Sequence, residues 1–472
     1  MMRFRVVNSK DIYRVSRFDG SYHNAEINVY DSVISKHSTH TLSYYCSEIF
    51  TSGRNKRAYT TPSFGVPFLS NSDAASQNPF TSCKYSSMKY GYDENALLKG
   101  GMILTGRVGA IGQTSIVPEY WESHKAMGSD NIIRIVVSKD SPYTNGLIYA
   151  YLASRIGYLS FWKHATGGVQ PFITDAMVGQ LPIPDLSELT QVKAGTLVRK
   201  SCNLRTEAVN ILESAKNLMY SYLGIGSISV DEYDFYGPSV QNRKVSCFTI
   251  SKKSINEVSI NAFNHSERIR KLKQRLSSAV KIRTLISCLT DEGIFTTGSF
   301  PRVEVKPANG VELINQRDIF DSVIRGKYIS KRGVKLDNLL SKDEVIIAGV
   351  GTLGESETFC RCVYANSYLA GKLISGEFLR MKCNNEVPSG YLYLWLSSEY
   401  GFRLIRNTQA GTKLCRPIPK LLEQLPVPEL RCSEMIAIDS MVKEAQEKFA
   451  QASLAELEAI SLVESEIEKW NN

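Results

Sequence analysis

Apolar positions between Leu186 and Gly224 recur at alternating spacings of three and four: Ala194, Leu197, Ser201, Leu204, Ala208, Ile211, Ala215, Leu218 and Tyr222. That heptad pattern predicts a long helix that pairs with another helix. At 1.5 Å per residue it would span on the order of 55 Å. Leu181-Pro182-Ile183-Pro184 precedes it and Gly224-Ile225-Gly226 follows, residues that start or stop helices. The chain ends on a second such pattern. It opens at Ser433, an expected N-cap, and runs through Ile438, Val442, Ala445, Phe449 and Ala452. It then slips and resumes as Leu457, Ile460, Val463, Ile467 and Trp470, a break expected to rewind a supercoil locally.

Elsewhere the periodicity is mixed. Ile132–Val137 and Val345–Ala348 read as strands, and residues 146–160 and 390–405 as helices with apolar faces. The spans 51–64 and 70–92 are rich in Ser, Asn, Gly and Tyr and read as loops, which carry binding residues when a rigid scaffold presents them. Residues 266–275 read as a basic helix with Arg268, Arg270, Lys271, Lys273 and Arg275.

These patterns occur twice, at an offset of 242 to 245 residues. Phe18–Ile27 aligns with Ile260–Ile269, pairing His23 with His265. Ile49–Gly53 aligns with Ile294–Gly298, Gly65–Asp73 with Gly310–Asp318, and Met102–Gly112 with Glu344–Gly354. Gly146–Leu152 aligns with Gly390–Leu396, and Leu181–Pro184 with Leu425–Pro428; a long helix follows each. The shared order shows a duplicated domain rather than a solenoid. The expected organisation is a first domain over 1–185, a first long helix and turn over 186–226, a second domain over 227–430 and a second long helix over 431–472. The fold class is α+β. The two helices are expected to form an antiparallel coiled coil that relates two similar domains by a pseudo-twofold axis.

The chain has 472 residues, too many for one core, and its 43% apolar and 22% charged content is that of a globular protein. The net charge of +9 is unevenly spread: residues 1–185 carry 18 basic and 14 acidic residues, 227–430 carry 29 and 21, and 431–472 carry 4 and 9. Two basic domains and an acidic final helix suit a polyanion such as nucleic acid. Ten scattered cysteines include no CxxC pair, and Cys360-Arg361-Cys362 stands without a His partner, so no metal site is expected and reduced thiols are. The start, MMRFRVVNSK, lacks the apolar run of a signal peptide and no stretch is apolar enough to span a membrane, so a cytoplasmic location is expected.

Catalytic motifs are scarce. Gly106–Gly112 and Gly349–Gly354 are glycine-rich, but neither sits in the strand–helix setting of a dinucleotide site; a tight strand-to-strand turn fits them better. Asn78-Pro79-Phe80 is a fragment of the Asn-Pro-Pro-aromatic motif of amino-methyltransferases, without its second proline. What recurs is a basic and aromatic set. In the first domain it comprises Arg54, Lys56, Arg57, Lys84, Lys89, Arg107 and Lys163 with Tyr59, Tyr85 and Tyr90. In the second it comprises Arg302, Lys306, Arg317, Arg325, Lys327, Lys331, Arg332 and Lys335 with Tyr328. The polar segments Thr166–Gln170 and Gln409–Lys413 occupy equivalent places, with Thr166, Gln170, Gln409 and Lys413 as candidate DNA contacts. Lys and Arg fix register on phosphates, while forked Arg, Asn and Gln side chains read base edges.

The chain resembles the specificity subunits of Type I restriction–modification systems over essentially its whole length. The resemblance rests on the two glycine segments, the Thr166–Ile173 and Ala410–Ile418 segments, the LPIP and LPVP ends and the paired helices. It implies a non-catalytic subunit that holds double-stranded DNA, each domain reading one half of a split, asymmetric target, with the helices setting the gap. It also implies two copies of a DNA adenine methyltransferase subunit, which would carry S-adenosylmethionine, and an ATP-dependent motor-nuclease subunit where the system has one. Val169-Gln170-Pro171 in the first copy is replaced by Lys413-Leu414-Cys415 in the second, so the half-sites are expected to differ. Two other readings of the sequence stand beside it: a self-contained DNA methyltransferase or nuclease, and a coiled-coil interaction protein without sequence preference.

Overall fold

In the computed structural model, which describes residues 6–20, 22–23, 25–54, 56–228, 249–252, 255 and 258–470, the duplicated patterns fold into duplicated elements. The chain divides into two units, Met1–Thr206 with Gln451–Asn472, and Glu207–Ala450, so both long helices run from one unit into the other. The expected passage from Gly226 into the second copy falls largely on residues outside those described.

The first unit contains strands β1 (His40–Thr41), β2 (Cys46–Thr51), β3 (Tyr59–Thr60), β4 (Gly65–Leu69), β5 (Lys84–Ser87), β6 (Ile103–Gly106), β7 (Thr114–Ile116), β8 (Met127–Gly128), β9 (Ile132–Val137) and β10 (Pro182–Ile183). One four-stranded sheet has the order β2-β9-β6-β7 and is antiparallel throughout. A second, β3-β5-β4-β8, is built from strands of two to five residues. β1 pairs with β10, which places the LPIP end against the start of the first sheet. β9, Val/Ile-rich apart from Arg134, lies between two neighbours.

The second unit repeats this with β11 (Ile282–Thr284), β12 (Leu289–Phe295), β13 (Gly310–Ile314), β14 (Lys327–Ser330), β15 (Val345–Ala348), β16 (Cys362–Tyr364), β17 (Leu373–Ile374), β18 (Phe378–Cys383), β19 (Gln409–Ala410), β20 (Arg416–Pro417) and β21 (Pro426–Pro428). Its main sheet is β12-β18-β15-β16, its small sheet β14-β13-β17, and β11 pairs with β21. Spans 51–64 and 70–92 are therefore not plain loops. They contribute β3, β5 and the helix Asn71–Ala75, too short and too polar to announce themselves.

The helices expected over 146–160 and 390–405 each split in two, Asn145–Ala153 with Arg155–His164 and Ser389–Ser397 with Glu399–Asn407. Ser154 and Ser398 accept from the amides of Gly157 and Gly401 at 3.0 and 3.1 Å and so cap the second helix of each pair. A Cβ on Gly401 would sit 2.6 Å from the backbone of Leu396, so only glycine permits the bend. Trp395 Nε1 donates to Pro426 O at 3.0 Å and Tyr391 Oη to Pro428 O at 2.7 Å, which anchors the LPVP strand in the core.

In each unit a buried arginine at the same place on the main sheet holds backbone carbonyls of the adjoining segments. Arg134 of β9 donates to Ile132 O at 3.0 Å, Ala96 O at 3.1 Å and Gly128 O at 2.7 Å. Arg380 of β18 donates to Asp337 O, Asn338 O and Leu339 O, and also to both oxygens of Glu344 at 2.8 Å. Where the second unit has Glu344, the first has Met102. Burial, only partly opposed by Asp93 and Asp130, pulls the Arg134 guanidinium down to about 10.

The long helices span Glu188–Leu223 and Cys432–Lys469. Ser433 therefore lies inside the first turn rather than capping it. Within the first unit Ser187 donates to Glu466, and within the second Lys448 Nζ donates to Glu207 at 2.6 Å, so the helices pair antiparallel in both. On the first helix Ala194, Ser201, Ala208 and Ala215 are buried as expected, but Leu197, Leu204, Ile211 and Leu218 are only half-buried and Tyr222 is exposed. Val198, Arg205 and Met219 are buried instead. The stripe is turned because the helix also packs on the body of the first unit, where a Cβ on Gly146 would meet Gly195 O at 2.9 Å; the final helix packs likewise on the second, where one on Gly390 would meet Asp439 Oδ1 at 2.7 Å. On the final helix Ile438, Val442, Ala445, Phe449, Ala452, Ile460, Val463 and Ile467 are buried and Leu457 half-buried. The expected slip is absent. The buried line continues from Ala452 through Glu456 and Ala459, and the apparent break was a glutamate in a seam position.

Candidate nucleic-acid interface

In both units a glycine loop follows the central strand of the main sheet and turns into an antiparallel strand, β6 to β7 and β15 to β16. Neither is followed by a helix, so the strand-to-strand turn expected from the glycine spacing is what forms. Gly109 and Gly112 have φ of +77° and +75°, values that favour glycine. A Cβ on Gly349 would meet Glu377 O at 2.8 Å.

Each loop is pinned from two sides. From the small-sheet side, Asn71 Nδ2 donates to Val108 O at 3.4 Å. Its equivalent, Gln316, donates to Val350 O at 2.5 Å and accepts from Val350 N at 3.3 Å. From the other side comes the second polar segment. Val108 bridges Phe172, Ile173 N donates to Arg107 O at 2.9 Å, and Thr166 and Phe172 bond each other at 2.9 and 2.8 Å. In the second unit Gly351 and Cys415 exchange hydrogen bonds at 3.2 and 2.8 Å, and β19 and β20 close the hairpin. Gly167 and Gly411 turn the tips, at φ +97° and +111°. Gly168, Val169 and Gln170 are exposed on one tip; Thr412, Lys413 and Leu414 are exposed on the other.

Most of the expected cations lie on or flank the small sheets. Pairing of β3 with β5 brings Arg54, Lys56 and Arg57, all exposed, alongside Lys84 and Lys89. Lys84 Nζ lies 4.9 Å from the centre of the Tyr59 ring and Lys89 Nζ 5.2 Å from that of Tyr90. Arg57 is held by Asp130 at 3.0 Å. Arg107 is half-buried at the start of the glycine loop. In the second unit Val305 N donates to Tyr328 O and Ser330 N to Val303 O, which lays the exposed Arg302 and Lys306 along β14 with Lys327, Lys331, Arg332 and Lys335. Lys327 is paired with Glu304 at 2.7 Å. Arg317 and Arg325 are exposed on either side of a short helical turn, Asp318–Phe320.

Two expected contacts belong elsewhere. Lys163 is buried, paired with Asp31 and facing the Tyr22 ring, so it braces the helix Arg155–His164 rather than facing solvent. Gln409 is buried at the base of its hairpin, although its neighbours Ala410–Leu414 are exposed. Thr166 is half-buried, its backbone closing the turn. Asn71 and Gln316 were not among the expected residues. Their only signal was alignment of Gly65–Asp73 with Gly310–Asp318, each with an amide side chain near its end.

The other motifs serve structure. Asn78 accepts from Phe80 N at 3.2 Å, and Phe80 stacks on His124. Cys360 and Cys362 are free thiols, and burial pushes Cys362 up to about 12. Among the described residues no group of His, Cys, Asp and Glu could hold a metal ion, and no helix is long and apolar enough to cross a membrane.

No protein-family model matches the chain, and no curated protein does. Solved structures do. The Type I restriction–modification system S subunit from M. genitalium is 12% identical, with 91% of this chain and 94% of that chain covered and a TM-score of 0.36. The HsdS subunit from Thermoanaerobacter tengcongensis is 11% identical over 91% and 95% of the two chains, with a TM-score of 0.26. A structure described as showing complex assembly and conformational transition of the type I R-M system is 11% identical over 92% and 96%, with a TM-score of 0.28.

Proposed function

We propose that this chain is the DNA-specificity subunit of a Type I restriction–modification system. Each unit reads one half of a split, asymmetric double-stranded target and the antiparallel helices hold the gap. The chain does no chemistry. It scaffolds two copies of an adenine methyltransferase subunit that bring S-adenosylmethionine, and a motor-nuclease subunit with ATP where the system has one. The observation that carries this reading is one frame built twice with different tips. In both units an amide side chain and a hairpin pin a glycine loop beside a cation-lined small sheet, while the exposed residues are Val169 and Gln170 in one and Lys413 and Leu414 in the other.

The physical roles divide accordingly. The small-sheet cations neutralise phosphates and set register, which gives affinity without sequence. The tips carry the side chains able to reach base edges. The glycine loops bring backbone close to a large ligand while the pinning bonds keep the tips from moving. The test is a map of methylated adenines in cells that co-express this chain with its neighbouring methyltransferase. One split, asymmetric motif that vanishes when this chain is deleted is the expected result. Methylation by the purified chain alone would instead support the self-contained enzyme, and binding to no duplex by the assembled complex would support the plain coiled-coil protein.

A further inference from the structure

The small-residue stripe along the seam between the long helices carries little register information. On the first helix the small residues Ala194, Ser201, Ala208 and Ala215 recur every seven positions, and on the last helix Ala445, Ala452 and Ala459 do the same. All seven are buried. A slip of one heptad would bring each alanine opposite another equivalent surface, so this stripe packs almost as well in neighbouring registers.

One buried cluster breaks the degeneracy; the Ser187–Glu466 and Lys448–Glu207 contacts that also bridge the helices lie at the surface, where such contacts are worth little. In the first unit Arg205 and Glu456 form a buried ion pair between the two helices, with side chains 5% and 2% exposed. Ser201 Oγ donates to Glu456 Oε2 at 3.2 Å, and Arg205 Nη1 donates to Ser201 Oγ at 2.7 Å. Tyr149 Oη, from the body of the unit, donates to Glu456 Oε1. The equivalent positions in the other copy are apolar: Ala445 for Ser201, Phe449 for Arg205 and Leu212 for Glu456. Slipping the helices by a heptad in either direction would set Arg205 against Phe449 or Val463, and Glu456 against Val198 or Leu212. Every such register buries two unpaired charges, and each lowers the population of that register by more than about a hundredfold.

We propose that Arg205, Glu456, Ser201 and Tyr149 are a register lock, a set of positioning residues that fixes the gap between the two half-sites. The inference rests on the specificity-subunit reading above. Arg205 and Glu456 restrict the helices to one alignment, and Tyr149 couples that alignment to the recognition body of the first unit. The cluster touches no DNA. It acts on spacing and leaves base preference alone.

The test uses the full chain assembled with its methyltransferase, on duplexes carrying both half-sites at gaps up to four base pairs shorter or longer than the cognate gap. Wild type is expected to methylate one gap. The variant Arg205→Phe with Glu456→Leu, which installs the residues of the second copy, is expected to keep its melting midpoint and half-site bases. It should add targets whose gap differs by about three base pairs, the length of a one-heptad slip of about 10 Å. The swap Arg205→Glu with Glu456→Arg restores a pair and should restore the single gap. Should the apolar variant not fold, Arg205→Leu with Glu456→Met carries the same expectation, because it too leaves no charge to bury in any register. A single cognate gap in either folded apolar variant would overturn the lock, as would relaxation by the swap to the same extent. If wild type shows no two-part target at all, it is the specificity reading that fails.

Discussion

Glu344→Met converts the strut of the second unit into the one the first unit already has, so its cost can be worked from the molecule itself. Arg380 and Glu344 are each 1% exposed, and the guanidinium meets the carboxylate through two bonds of 2.8 Å. Removing one partner of a buried pair costs about 3–5 kcal/mol, because the other charge stays buried. The first unit gives an independent figure. Arg134 keeps three carbonyls but no carboxylate, and its pKa falls from 12.5 to about 10, which corresponds to about 3 kcal/mol against the charged form. Glu344→Met should therefore destabilise the second unit by about 3–4 kcal/mol. For a unit of this size that lowers the melting midpoint by about 6–16 °C. Calorimetry of the full chain, with hydrogen exchange at β15 and β18 to localise the loss, measures it. Arg380→Met on top of Glu344→Met removes the orphaned charge but strands the carbonyls of Asp337, Asn338 and Leu339, so it should recover little of the loss. A shift of under 1 kcal/mol for Glu344→Met would refute the reasoning.

Three other outcomes are expected. Asp321 is raised from 3.8 to about 7 by burial and by the charge of Asp318, with Arg317 opposing; its contribution is fully present below pH 3.8 and is lost as pH rises through 7. Asp321→Asn should thus raise the melting midpoint most at pH 8, less at pH 5, and not at all below pH 3.8, and equal effects at pH 8 and pH 5 would sink the assignment. Gln316→Ala removes both bonds to Val350, at about 1–3 kcal/mol, and should abolish reading of the second half-site while the first is still bound; binding assays on single half-sites check this. Lys331→Ala with Arg332→Ala should weaken cognate and scrambled duplexes alike and reduce the salt dependence of binding by about two counterions, and a loss confined to the cognate duplex would count against a phosphate role.

The duplication was legible because glycine, proline and apolar landmarks keep their order even where most residues differ. The glycine loops, the LPIP and LPVP strands and the long helices follow from such landmarks. Polar exceptions inside apolar patterns were not legible. Glu456 read as a slip of the seam because a heptad search assumes an apolar residue at that place, and nothing local reveals that Arg205 will be buried to meet it. Lys163 read as a surface cation because composition does not report that Asp31 waits beside it. The small sheets were hidden by strand length: β3 has two residues and β5 four, KYSS, which carries little periodicity. The bends at Ser154 and Ser398 had a signal, a serine three residues before a glycine, that helical periodicity alone overlooks.

If the tips read bases, their chemistry constrains what they read. Gln170 presents an amide that can pair with the N6 and N7 edge of adenine, while Lys413 presents a point charge suited to the O6 and N7 acceptors of guanine. Both stand on hairpins fixed by the same backbone bonds, so exchanging tips should leave both frames intact. Transplanting Lys413-Leu414-Cys415 onto positions 169–171 tests this. Gly167 and the Thr166–Phe172 bonds that close the turn remain, and Val169 and Gln170 are exposed, so no core contact is lost there. The first half-site should lose discrimination at one adenine, at about 1–3 kcal/mol per base pair, and gain preference for guanine, while the second half-site and the gap stay as they were. A methylation map in which the first half-site is unchanged would remove the tip from base reading and leave it to the flanking cations and the shape of the DNA.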